Sequence, residues 1–293
     1  MINLGNVITA MVTPFKADLS VDWAGAEKLA AYLADNGSDG LVLHGTTGES
    51  PTLTHEEEYE LYKVIKKAVG GKCKIIAGTG SNSTETTIRS TKKASEIGVD
   101  GIMLVVPYYN KPSQEGLYQH FKAAAAATSL PIILYNIPGR TGINMTPETT
   151  ARLADIKNIV GLKDAAGSLD QTSAARQLCP PDFIIWSGDD SLTLPMMAVG
   201  ATGIISVASH VAGKEIAAMV AAFHAGDTKK ARELHLKLLP LFKVLFIAPN
   251  PAPVKYALEL LGLPAGKPRL PLVEPTESEK ERIKKVLRDL GLV

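Results

Sequence analysis

Lys163 closes an apolar run, Ile159-Val160-Gly161-Leu162, and is the sharpest chemical feature of the sequence. A lysine is almost never fully buried without a partner. Two bland readings apply: a salt bridge to a nearby carboxylate, or an aliphatic stem that snorkels its ammonium to water. The functional reading is a nucleophilic amine. At an ordinary pKa near ~10.4, only about 0.04% of a lysine is neutral at pH 7. A desolvated pocket lowers the pKa to about 7–8 and makes tens of per cent neutral, able to attack a ketone.

Three further features share that chemistry. Tyr108, Tyr109 and Tyr135 fall at the ends of apolar runs, where a phenol is either an amphipathic rim residue or, held by a partner, a proton relay. Gly45-Thr46-Thr47-Gly48-Glu49-Ser50 places two threonines between glycines. Its backbone N–H groups and hydroxyls can converge on a carboxylate; the plain alternative is a strand-to-helix turn. Arg140 lies in Pro138-Gly139-Arg140-Thr141-Gly142, where a guanidinium either clamps a substrate carboxylate or is simply exposed. Other patterns carry less. Gly78-Thr79-Gly80 has Ser83 where a dinucleotide fingerprint needs its third glycine, and His55-Glu56 has Tyr59 where a zinc motif needs its second histidine. Asp189-Asp190 reads as solvated loop carboxylates, with no third ligand at metal spacing.

The elements that must position these residues alternate. Short apolar runs occur at Val7–Val12, Gly40–His44, Lys74–Ala77, Gly101–Val106, Ile132–Tyr135, Ile159–Lys163, Phe183–Trp186 and Gly203–Val207. They are continuously apolar, as parallel strands buried on both faces are. Helical segments separate them: one opens on a capping box from Thr54 to Glu57, others follow Ser83-Thr84 and Pro112-Ser113, and one carries Pro147 in its first turn. Eight repeats predict an α/β fold, a (β/α)8 TIM barrel, with an open doubly wound sheet as the alternative the pattern leaves open. The candidate residues then sit at the carboxyl ends of the strands, where such barrels keep their sites. After Gly226 the rhythm changes to helices over Asp227–Phe246, Pro253–Leu261 and Glu277–Leu290. The expected organisation is a catalytic barrel over 1–226 and a small C-terminal helical appendage over 227–293.

The chain's 293 residues suit this plan, and 45% hydrophobic with 21% charged residues is ordinary for a packed globular protein. A net charge of +1 argues against nucleic-acid or membrane-surface partners, which need a basic field. No apolar stretch approaches the roughly 20 residues of a membrane span. The opening residues lack a basic region before the first apolar run, so no signal peptide is expected. Cys73 and Cys179 are isolated, which fits a reduced, cytoplasmic protein.

Several stretches together resemble one family. They are VITAMVTPF (7–15), GTTGES (45–50), IIAGTGSNST (75–84), VPYYNKPSQEGLYQHF (106–121), LYNIPGRTG (134–142), VGLKDAAG (160–167), SGDD (187–190), GIISVASHV (203–211) and NPAPVKYAL (250–258). The chain resembles the dihydrodipicolinate synthase family, among the pyruvate-dependent class I aldolases that include N-acetylneuraminate lyase. The resemblance spans essentially the whole sequence. It implies that Lys163 forms an imine with pyruvate, that Thr46, Tyr109 and Tyr135 relay protons, and that Thr46 and Thr47 hold the pyruvate carboxylate. It further implies that Arg140 binds the carboxylate of aspartate-4-semialdehyde and that Gly188 and Ile205 offer backbone groups to the adduct. The reaction so implied is a condensation and cyclisation in lysine and diaminopimelate biosynthesis. It calls for no metal or organic cofactor, because the iminium is the electron sink. A keto-deoxy-sugar acid aldolase or a neuraminate lyase-like enzyme is the alternative, disfavoured by Arg140. By the same resemblance the protein is a homotetramer of two tight dimers, with Tyr109 reaching a neighbouring subunit's site. Asn82, His55 and Tyr108 match a regulatory pocket for lysine. Thr86 stands where lysine-inhibited relatives carry Glu, so weak or absent feedback inhibition is expected.

Overall fold

The structure, a computed structural model, describes residues 4–293. Eight parallel strands close into a barrel in sequence order. They are β1 (Val7–Ala10), β2 (Gly40–Leu43), β3 (Lys74–Gly78), β4 (Gly101–Val105), β5 (Ile132–Asn136), β6 (Ile159–Asp164), β7 (Ile184–Ser187) and β8 (Gly203–Ser206). The expected barrel is therefore found, each strand within one or two residues of its apolar run. The intervening helices are α1 (Trp23–Asp35), α2 (His55–Val69), α3 (Thr84–Ile97), α4 (Gln114–Ala125), the single turn α5 (Pro138–Thr141) and α6 (Pro147–Ala154). They continue with α7 (Leu169–Leu178), α8 (Thr193–Ala198) and α9 (Ser209–His224). Three more, α10 (Thr228–Val244), α11 (Ala252–Leu260) and α12 (Glu277–Asp289), follow without a strand between them.

Local chemistry explains the element boundaries. The capping box at α2 is present: the Thr54 hydroxyl accepts from the Glu57 N–H, and the Glu57 carboxylate accepts from the Thr54 N–H at 3.0 Å. Pro147 occupies the first turn of α6, where its missing N–H is harmless. β2 stops one residue earlier than the apolar run because His44 turns into the left-handed region, φ 57°. Gly161 in β6 has no alternative, since a Cβ there would lie 2.7 Å from the Trp186 ring and would also collide with the Ile184 carbonyl.

Cα proximity groups the chain into two compact units: residues 4–6 with Ile76–Ile205, and Val7–Ile75 with Ser206–Val293. In the first, the β5–β6 register shifts by one residue between Ile132 and Ile133, and beyond it the site strands align with Val105 opposite Tyr135, Tyr135 opposite Lys163 and Lys163 opposite Trp186. In the second, the carboxyl end of β1 is pinned through buried His210, whose Nε2 accepts from the Val12 N–H at 3.1 Å. Among the described residues no helix is long and apolar enough to cross a membrane.

Candidate active site

In the first unit, Lys163 and Tyr135 are 5% and 4% exposed, and the amine nitrogen lies 4.4 Å from the centre of the Tyr135 ring. Among the described residues no carboxylate forms an ion pair with this lysine, so both bland readings of it fail. Burial strips water from the ammonium and pushes its pKa down to about 8; the negative Asp190 opposes the fall and the positive Arg140 adds to it. The neighbouring Asp164 is otherwise engaged, accepting from the Thr172 hydroxyl at 2.7 Å and the Ala166 N–H at 3.0 Å. Its own pKa is raised by burial.

Gly188 packs closely beside the Lys163 side chain. Its N–H donates to the Asp164 carbonyl at 2.7 Å. A Cβ on residue 188 would stand 2.8 Å from the Ala165 Cβ and 3.2 Å from the Lys163 Cε. Ile205 is buried at the end of β8. Asp190 corrects the sequence reading: it is buried rather than solvated, in the turn Asp190–Leu192 that follows β7. Asp189 caps that turn, accepting from the Ser191 N–H and hydroxyl at 2.8 Å each. Nothing in the sequence separates these adjacent aspartates, except that they follow a strand end.

Arg140 is exposed on α5, and no carboxylate of the described residues takes up its guanidinium. Its loop is held from the barrel side by Asn136, a fully buried residue at the end of β5. The Asn136 amide donates to Asn144 Oδ1 at 2.8 Å and to the Met145 carbonyl at 3.3 Å, and its oxygen accepts from the Met145 N–H at 3.1 Å. Tyr109 is not brought to Lys163 within the chain. It is 88% exposed on a left-handed backbone, φ 74°, with its N–H donating to the Thr141 carbonyl at 3.3 Å. That backbone region is uncommon for a bulky side chain. The loop is tied on its other side by Asn110, whose amide donates to the Asn82 carbonyl at 2.9 Å, and Tyr108 is 37% exposed.

In the second unit, Gly45–Ser50 makes a compact turn after β2. The Glu49 N–H donates to the Thr46 carbonyl at 3.1 Å, and the Thr13 hydroxyl donates to the Gly48 carbonyl at 2.7 Å. Thr46 is half-buried and Thr47 buried. The Asn250 amide donates to the Thr47 hydroxyl oxygen at 2.9 Å, which leaves the hydroxyl's own proton available to an anion. Sequence reasoning quoted Asn250 within a family stretch but gave it no role. His55 stacks on Tyr59, and its Nδ1 lies 2.9 Å from the buried Glu58 carboxylate. Thr86 offers no acid, and the carboxylate beside His55 is that of Glu58, which also accepts from the Tyr62 hydroxyl at 3.0 Å.

Comparison with known proteins bears on the family and the fold. The model of the dihydrodipicolinate synthetase family matches residues 3–290. The chain is 63% identical over 289 residues to the 4-hydroxy-tetrahydrodipicolinate synthase of Moorella thermoacetica, covering 99% of each chain. It is 58% identical to that of Thermosynechococcus vestitus, covering 100% of this chain and 99% of the other. It superposes with a TM-score of 0.98 on the crystal structure of the enzyme from Cyanidioschyzon merolae with lysine bound, at 52% identity and 99% coverage of both chains. Against the chloride-inhibited enzyme from Acinetobacter baumannii complexed with pyruvate, the TM-score is 0.97 at 43% identity, with 99% of this chain and 100% of the other covered. The chain belongs to the dihydrodipicolinate synthetase family.

Proposed function

We propose that this chain condenses pyruvate with aspartate-4-semialdehyde through an imine on Lys163. The observation that carries the reading is a lysine buried at a strand end with no ion-pair partner among the described residues, an environment that pushes its pKa down to about 8. The strands are parallel members of one closed barrel, and in such barrels chemistry gathers at the carboxyl ends of the strands. Pyruvate's carboxylate is received by Thr46 and Thr47. The Lys163 nitrogen bonds to the keto carbon, and the resulting carbinolamine loses water, with Tyr135, Thr46 and Tyr109 moving the protons. The iminium accepts the electron pair left when a methyl proton departs, giving an enamine. That carbon bonds to the aldehyde carbon of the second substrate, whose carboxylate Arg140 holds in line. The semialdehyde's amine then attacks the imine carbon, displaces Lys163 and closes the ring.

Tyr109 takes part from a neighbouring subunit in a homotetramer built of tight dimers, which accounts for its exposure and strained backbone in the single chain. Residues 1–226 form the catalytic part and 227–293 the appendage, and the protein works in the cytoplasm. Asn82, His55 and Tyr108 belong to a regulatory pocket. The test is borohydride reduction with pyruvate, followed by peptide mass mapping. The reading expects one modified site, Lys163, and no turnover in Lys163→Arg. An unmodified Lys163 peptide refutes it. Turnover of glyceraldehyde in preference to the semialdehyde would instead favour a sugar-acid aldolase.

A further inference from the structure

The residue after the two threonines and Gly48 is Glu49, whose backbone is left-handed at φ 58°. L side chains adopt that conformation only when their surroundings hold them to it. Here the side chain is the anchor. One Glu49 oxygen meets the Lys255 amine at 2.5 Å, with both side chains 1% exposed. The other oxygen accepts from the Arg269 N–H at 2.8 Å. Lys255 lies on α11, its amine 4.1 Å from the centre of the Phe15 ring, and the Arg269 guanidinium stands 4.4 Å from the same ring. Arg269 also forks onto Glu57 in the first turn of α2, at 2.8 and 2.6 Å, and donates to the Thr52 carbonyl at 2.7 Å. Five residues before Lys255, Asn250 donates to Thr47. One short segment of the C-terminal helices therefore grips Gly45–Ser50 at two points, Thr47 and Glu49.

We propose that α11 and the segment leading into it clamp the GTTGES loop, and that Glu49 and Lys255 are positioning residues for pyruvate's carboxylate. The inference rests on the reading that Thr46 and Thr47 receive that carboxylate. Stability alone is a poor reason for such a pair. Two buried charges seldom improve on well-packed apolar side chains, whereas a fixed geometry for the loop needs directional contacts. Asn250 orients the Thr47 hydroxyl and Lys255 fixes the turn that carries it. The appendage thereby acts on the first substrate and leaves Arg140, which serves the second, untouched.

The test uses full-length Lys255→Met, Glu49→Gln and the double variant, with steady-state kinetics on both substrates, pyruvate titration of borohydride trapping, and thermal midpoints. Lys255→Met is expected to raise pyruvate KM and the half-saturating pyruvate for trapping about tenfold, the scale of one lost charge-assisted hydrogen bond, with semialdehyde KM within about twofold. Glu49→Gln, which keeps its hydrogen-bonding shape, should give about a threefold rise on the same scale. The double variant leaves no orphaned charge. It should recover the thermal midpoint yet keep the raised pyruvate KM. If it binds pyruvate as the parent does, or if both substrates' KM values rise together, the clamp is overturned. Should Lys255→Met not fold, the double variant and Glu49→Gln decide the matter. Thr47→Val separates the two levels. If it leaves pyruvate KM unchanged, the carboxylate reading fails; if it raises KM while the pair variants do not, only the clamp fails.

Discussion

The pH dependence of the first chemical step follows from how Lys163 is buried. With the amine at about 8 instead of 10.5, about 9% is neutral at pH 7 instead of about 0.03%, a gain of about 300-fold in reactive enzyme. Only the neutral form attacks, so kcat/KM for pyruvate should rise about fivefold from pH 7 to 8 and less than about twofold from pH 8 to 9. An ordinary lysine would instead climb about tenfold per unit through that whole range. The assay is initial-rate kinetics at saturating semialdehyde, with the pKa taken from the acid limb. A perturbation of charge sharpens it. Asp190 holds the amine's pKa up against desolvation, so Asp190→Asn should move the acid limb below 8. An acid limb near 10, or an upward shift in Asp190→Asn, would refute the account of Lys163 as an amine unmasked by burial.

Three other predictions follow from particular contacts. Gly188→Ala brings a Cβ to 2.8 Å from Ala165 and 3.2 Å from the Lys163 Cε; kcat/KM should fall about 10–100-fold while the melting temperature shows a loss of about 1–3 kcal/mol, and unchanged activity would mean that Lys163 is not held tightly. Asn136→Ala releases the loop that carries Arg140, so it should raise semialdehyde KM with pyruvate trapping unaffected, as should Arg140→Ala by about 100-fold; a rise in pyruvate KM instead would contradict the division of labour. His210, buried and hydrogen-bonded to the Val12 N–H, titrates near 4 rather than 6.5 because burial disfavours its charged form. The unfolded chain binds that proton near 6.5 and the native one only near 4, so stability present above 6.5 is lost as pH falls through this window. The loss is about 3 kcal/mol at most, and His210→Gln should flatten the corresponding fall in thermal midpoint.

The barrel was legible in the sequence for a physical reason. Parallel strands covered on both faces leave uninterrupted apolar runs, and the turns between them carry their own chemistry, as Thr54 with Glu57 shows. Lys163, Thr46, Thr47, Tyr135 and Arg140 could be named as candidates because each closes or follows such a run. What escaped is set by contacts distant in sequence. His44 leaves β2 through a left-handed turn that no local signal announces. Asp189 and Asp190 are chemically identical and adjacent, yet one caps a turn and the other is buried within electrostatic reach of the lysine.

The C-terminal helices were readable as helices, but their grip on Glu49 spans about two hundred residues of sequence and could not be. The two buried lysines show why position decides chemistry. Both are pushed down to about 8 by burial. Lys255 meets Glu49 at 2.5 Å and is sealed at 1% exposure, so it is held as an ammonium in an ion pair, out of reach of a substrate. Lys163 forms no such ion pair among the described residues, and what stands against its Cε is a glycine, Gly188, where a Cβ would come to 3.2 Å. A lowered pKa therefore identifies a nucleophile only where an electrophile can also reach it. Borohydride with pyruvate should distinguish the two amines absolutely, modifying Lys163 and never Lys255.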